Sequence, residues 1–161
     1  MRIALDATPL TLPTGGLRRY TLELAAALAD RNDDDEILLV SDQAVELSER
    51  LRAFPNVKVA PPAFEALTNK WWSSGLPLTL LKNRVEIFHG TNFSVPYMPV
   101  TPSILTLHDL SPWKPSPIRP AGSERVRART PNMLPLATRI LTPTEAVRRE
   151  AIDFFGLGKS R

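Results

Sequence analysis

The sequence predicts an α/β fold: a doubly wound parallel sheet. Two observations predict it. Apolar runs of strand length alternate with stripes of helical period. The runs are also continuous ("ILLV", "ILTL"), as in strands covered on both faces. Alternation of this kind gives right-handed crossovers and a parallel sheet.

Strands are expected at 2–6, 36–41, 57–60, 85–89, 103–108 and 139–142, where apolar runs end in polar or turn residues. Leu17, Tyr20, Leu24 and Leu28 form one stripe of a first helix, and Ala44, Leu47, Leu51 and Phe54 mark a second. A third is expected over 65–81 around Trp71 and Trp72, with Pro77 bending or breaking it. An arginine-rich helix over 123–134 is perturbed by Pro131. The last helix, 142–155, opens on "TPTE", read as Thr142 at the N-cap, Pro143 at N1 and Glu145 at N3; Gly156 is its stop.

Composition narrows the class. The chain has 161 residues, of which 43% are hydrophobic, so it can bury one domain's core. Its net charge of +3 permits an anionic partner without requiring nucleic acid. With no cysteine there is neither a disulfide framework nor thiolate chemistry. No apolar run approaches the roughly 18–20 residues of a membrane span. Arg2 is followed by a few apolar residues and then Asp6, which is not a signal peptide pattern. Most of the 16 prolines fall between Pro96 and Pro143, which predicts long loops on a scaffold.

In an open α/β sheet, ligands sit beyond the carboxyl ends of the strands. Three segments end there. "TPLTLPTGGLRRY" follows the first strand; Gly15 and Gly16 allow close backbone approach, and the next helix offers free N–H groups to an anion. Arg18 and Arg19 add charge. A plain tight turn accounts for the glycines equally well. The G-x-G-x-x-G fingerprint does not fit, which argues against a nicotinamide enzyme. "TLHDL" places His108 and Asp109 at the end of a central strand, where the histidine is either a donor to a sugar hydroxyl or phosphate, or a structural residue. Asp109 either orients a ligand or caps a loop. "IFHGTNFSVP" ends another strand with His89, Gly90 and Asn92, a second polar rim or a second structural histidine. Two histidines without a third ligand are weak support for a metal.

Other signals are set aside. "GLGKS" lacks the required earlier glycine, since Asp153 stands there, and it follows a helix. No G-x-S-x-G elbow exists. Trp71, Trp72 and Leu76 read as core in preference to membrane anchors. Asp33–Asp35 reads as a solvated turn. Arg125, Arg127 and Arg129 read as a solvated face that would also suit a phosphate-bearing acceptor.

Taken in order, "MRIALDATPL", "TGGLRRYTLELAAAL", "VEIFHGTNFSVP", "SILTLHDLSPWKPS" and "RILTPTEAVRREAIDFFGL" resemble the N-terminal half of family 4 glycosyltransferases. That resemblance covers nearly the whole chain. It implies one half of a GT-B fold, residues 1–161 being the acceptor-side Rossmann-like domain. The partner half would be a C-terminal nucleotide-sugar domain with two glutamates separated by seven intervening residues, a spacing this chain lacks. The implied activity is transfer of a sugar, mannose being the commonest guess, from a nucleotide-sugar to a glycan or lipid-linked acceptor with retention. The isolated domain is expected to be inactive. By the same resemblance, Gly15, Gly16 and Arg19 hold the donor phosphate, and His108 with Asp109 is catalytic. His89, Asn92 and Tyr20 face the acceptor, and Asp6 braces the glycine loop. No metal or other cofactor is implied beyond the nucleotide-sugar co-substrate, and no nucleic acid partner. The implied location is cytoplasmic, with a basic amphipathic face available to the inner membrane surface. One departure is local: the family loop reads Gly-Gly-Ile-Gly-Arg-Tyr, and Arg18 stands here for the later glycine. A stand-alone, non-catalytic carbohydrate- or phosphate-binding module is the alternative.

Overall fold

Continuous apolar runs need cover on both faces, and the chain supplies it with two layers of helices. A computed structural model describes residues 1–31, 34–115 and 123–158. Asp33 of the acidic turn and the Lys159–Ser160 end of "GLGKS" lie outside the described residues. The strands are β1 (Arg2–Asp6), β2 (Glu36–Val40), β3 (Val57–Ala60), β4 (Ile87–Gly90), β5 (Ser103–Thr106) and β6 (Arg139–Leu141). They form one parallel sheet in the order β3-β2-β1-β4-β5-β6. The order reverses between β1 and β4, which opens a crevice at their carboxyl ends. The fold is therefore the expected Rossmann-like α/β sheet, consistent with the GT-B half that the resemblance implies.

Alternate residues of each strand feed opposite cores. Leu5, Ile37 and Leu39 pack with Ala25, Ala26 and Ala29 of α1 (Gly16–Arg31) and with Leu51 of α2 (Glu49–Arg52). Ala4, Leu38, Phe88 and Leu105 face the other way. They meet Leu76 and Leu80 of α3 (Leu76–Lys82), Met133 of α4 (Ser123–Met133) and Ala151 of α5 (Glu145–Phe155). Each such fully buried leucine or phenylalanine contributes about 1.5–3 kcal/mol before entropy is counted. The stripe of Leu17, Tyr20, Leu24 and Leu28 is half-buried, Leu24 and Leu28 packing from α1 against the core of Leu5, Ile37 and Leu39. Three alanines and Thr21 are its buried side, so that the helix axis sits close to the sheet.

Four local expectations are corrected. Residues 43–47 are irregular and only Glu49–Arg52 is helical, although Val45, Leu47 and Phe54 still pack on the core. Burial at helical spacing was achieved there without a helix. Over 65–82 the chain coils continuously, first tightly over Glu65–Lys70, then in a wide turn over Trp71–Gly75, then as α3. Pro77 breaks nothing, because it occupies the first turn, where an N–H is not needed. The α5 cap is Thr144, whose hydroxyl accepts from the Val147 N–H at 3.2 Å; Thr142 is too early. Gly156 does end α5, at φ 65°, a left-handed cap. Finally, β5 stops at Thr106, so His108 lies beyond the ladder rather than on it.

Pro131 sits inside α4 without breaking it. Its missing N–H frees the carbonyl of Arg127, four residues back. The indole Nε1 of Trp113 donates to that carbonyl at 3.3 Å. Trp113 also packs edge-on against Phe155, with centroids 5.0 Å apart, so it ties α4 to α5.

Gly90, the last residue of β4, is fixed by a close approach. A Cβ built there would meet the Ser94 carbonyl oxygen at 1.7 Å. Gly90→Ala should destabilise the fold by about 3 kcal/mol or more. Urea denaturation checks this; a loss under about 1 kcal/mol would show that the 91–94 turn yields easily.

Candidate functional site

At the topological switch point a cavity of about 410 Å³ opens between the sheet edge and α4. Its lining includes Asp6, Thr8, Asp42, Asn92, Phe93, His108, Asp109, Trp72, Arg125 and Arg129. The volume suits a small ligand.

His108 is held from three sides. Its Nε2 lies 2.7 Å from the Thr91 carbonyl oxygen, which can only accept, so Nε2 carries a proton and donates. Tyr20 and Phe93 pack their rings edge-on against the imidazole, at centroid distances of 4.9 and 5.5 Å. In the neutral ring Nδ1 is then an acceptor. Asp109 is exposed on the cavity rim, and its Oδ1 accepts the Ser111 N–H at 2.7 Å, starting the short turn Ser111–Trp113. It therefore caps a loop and lines the cavity at once.

The turn after β4 builds this wall. Phe93 has φ 58°, a conformation strained for a bulky residue. It is held there by its own N–H to the Thr106 carbonyl at 3.1 Å, and by the Thr130 hydroxyl donating to its carbonyl at 2.9 Å. The Thr91 hydroxyl donates to the Asp6 carbonyl at 2.6 Å. Asn92 is thereby carried to the cavity.

His89 is elsewhere. It is 5% exposed, faces α1, and does not line the cavity. Its Nε2 shares a hydrogen bond with the Thr106 hydroxyl at 2.7 Å, and Tyr20 Oη lies 3.0 Å from the same hydroxyl. Burial, with His108 nearby, lowers its pKa to about 4. Asp6 is buried too, with Oδ1 accepting the Thr8 N–H at 3.1 Å. Burial raises it to about 6, against the hydrogen bonds from Thr8 and the nearby Arg129 charge.

The glycine pair is exposed, with open space around each Cβ position. Gly15 has φ 123°, which favours glycine, and its carbonyl accepts the Arg19 N–H at 3.1 Å as α1 begins. Neither glycine nor Arg19 lines the cavity, though Leu17 does. Tyr20, one helical turn beyond Gly16, links this end of α1 to His108. Arg18 is half-buried in the same turn, outside the cavity. The sequence-predicted residues thus divide: His108, Asp109 and Asn92 share the cavity, Tyr20 and His89 stand behind it, and the glycine loop flanks it.

Trp72, Phe93 and Asp42 are among the lining residues that the sequence-based site did not include. Trp72 was read as core; Trp71 is core, but Trp72 is half-buried and carries the Arg129 guanidinium 4.8 Å from its ring centroid. Phe93 gave no signal, because a left-handed phenylalanine runs against residue preference. Asp42 follows β2, a strand end like the others, and that position was the available clue.

The two buried groups titrate in opposite senses. His89 binds its proton more weakly folded than unfolded, so its contribution, present above pH 6.5, is lost as pH falls towards 4. Asp6 binds its proton more tightly folded, so its burial penalty is relieved as pH falls through about 6. Asp6→Asn should therefore steepen the acid loss of stability relative to the parent, and His89→Gln should flatten it, each by roughly 3 kcal/mol at most across the window. Urea denaturation between pH 4.5 and 7.5 measures both; parallel curves would contradict the burial of these groups.

A family model described as Glycosyltransferase Family 4 matches residues 14–161. No curated protein matches the chain.

Proposed function

The chain belongs to glycosyltransferase family 4, and from that premise we propose that it is the acceptor-side lobe of a retaining GT-B transferase. Such an enzyme moves a sugar from a nucleotide-sugar to the hydroxyl of a glycan or lipid-linked acceptor. The observation that carries this reading is His108: an imidazole clamped by Thr91, Tyr20 and Phe93 at the mouth of a cavity at the sheet's switch point.

The chemistry asks for three things. The leaving diphosphate develops negative charge, which N–H groups and cations stabilise without reorganising. The N-terminus of α1, begun by Gly15 and Gly16 and followed by Arg19, is open and suits that task. The transferred sugar needs a fixed partner for its hydroxyls, and His108 supplies one. The acceptor needs a walled pocket, and the cavity with Asn92 on its rim provides it. A second lobe binding the nucleotide would close over this face and exclude water. Asp6 shapes the turn that leads towards the glycine loop through its bond from Thr8. No helix among the described residues is long and apolar enough to cross a membrane. We place the reaction at the cytoplasmic side, where nucleotide-sugars are made.

His108→Ala in the natural full-length protein should lower kcat by about 100-fold or more, with the thermal midpoint little changed. Transfer from a panel of radiolabelled nucleotide-sugars measures it; unchanged turnover would remove His108 from the reaction.

A further inference from the structure

The cavity is polarised. Asp6, Asp42 and Asp109 come from the strand ends, while Arg125 and Arg129 come from one face of α4, four residues apart. These groups differ in their commitments. Asp6 and Asp109 accept backbone N–H groups. Arg2 pairs with Glu36 at 2.7 Å and Arg50 with Glu23 at 2.7 Å. Neither Arg125 nor Arg129 forms an ion pair among the described residues.

Arg129 is the more unusual of the two. It is half-buried, stacked on Trp72, and its Nε is buried with no hydrogen-bond partner among the described residues. Burial pulls its pKa down; the charges of Asp6, Tyr97 and Asp42 act against that, and Arg125 adds to it. A desolvated guanidinium without a bonded acceptor is unfavourable by itself. Across the cavity the Asp42 Oδ1 is also buried and without a donor. One wall thus offers unspent donors and the other an unspent acceptor, within a space of about 410 Å³.

Resting on the transferase reading above, we propose that the acceptor is a polyhydroxylated ring carrying an acidic substituent, a phosphate monoester or a carboxylate. Arg129, with Arg125 beside it, binds the anion. The planar fork of a guanidinium matches two anionic oxygens at once, and Trp72 holds that plane in position. Asp42 accepts a ring hydroxyl on the opposite side. The ring then lies across the cavity, bringing another hydroxyl to the His108 rim. A neutral acceptor would leave Arg129 unsatisfied, and this gives the site its discrimination.

The test measures binding of glucose 6-phosphate, glucuronate and glucose to the full-length protein by calorimetry at low ionic strength. At least one of the acidic sugars should bind about tenfold more tightly than glucose. Preference for the first assigns a phosphate ester, and for the second a carboxylate. Arg129→Gln should abolish the preference and Arg129→Lys restore part of it. Arg127→Gln, which lies outside the cavity, should leave it intact. Equal affinity for all three sugars, no binding of any, or a preference that survives Arg129→Gln overturns the proposal. Labelled nucleotide-sugar turnover, followed in the same preparations, separates the two ideas: transfer with no acidic preference sinks the anion site alone, whereas absent transfer sinks the transferase reading.

Discussion

The site depends on one close contact, the return of the chain over Gly90. Because no Cβ stands there, the Ser94 carbonyl can lie against the end of β4. That return delivers the Thr91 carbonyl to His108 and the Thr91 hydroxyl to the end of β1. It forces Phe93 into the left-handed region, where its ring meets His108 and its carbonyl receives Thr130 of α4. Four elements are joined by four consecutive residues. A looser turn would leave the imidazole free to rotate and α4 free to drift from the sheet. Local strain is held here by packing around it, as is common where side chains must be pre-set.

A second layer stands behind the first. Tyr20, Thr106 and His89 form a hydrogen-bonded chain on the face of the sheet that α1 covers. Tyr20 belongs to both layers, since its hydroxyl joins this chain while its ring supports His108. The end of α1 that carries the glycines is thereby fixed relative to the imidazole. A charge gathered at the α1 terminus and a hydroxyl held by His108 would share one rigid frame.

Much of this was legible in the residues. All six strands could be read: a central strand buried on both faces, such as β2, writes itself as an unbroken apolar run, and the edge strands β3 and β6 are short, partly exposed runs between turns. The family and the fold followed from the order of the motifs. The ends of β2, β5 and β6 were read one or two residues long, because the chain stays extended past the last ladder pair, while β4 was read to start two residues early and to end one residue short of Gly90. Where the reading was incomplete, burial had been reached by other means: Leu47 packs from an irregular segment, and α1 buries its alanines fully while Leu24 and Leu28 pack on the same core half-buried. The histidines look alike in sequence, yet one is sealed under Tyr20 and the other lines a cavity. That distinction needs the third dimension, as do the turn at Phe93 and the roles of Trp72 and Arg129.

The proline in α4 carries a lesson about how such a pocket can diversify. Its missing amide hands the Arg127 carbonyl to the Trp113 indole, which pins the helix lengthwise against the neighbouring loop. Sliding the helix by one turn would orphan both groups. Drift in ligand preference is therefore channelled into exchange of side chains on a stationary rod, at positions 125 and 129 above all. The frame behaves as a fixed rack whose pegs can be swapped while the rack itself stays put.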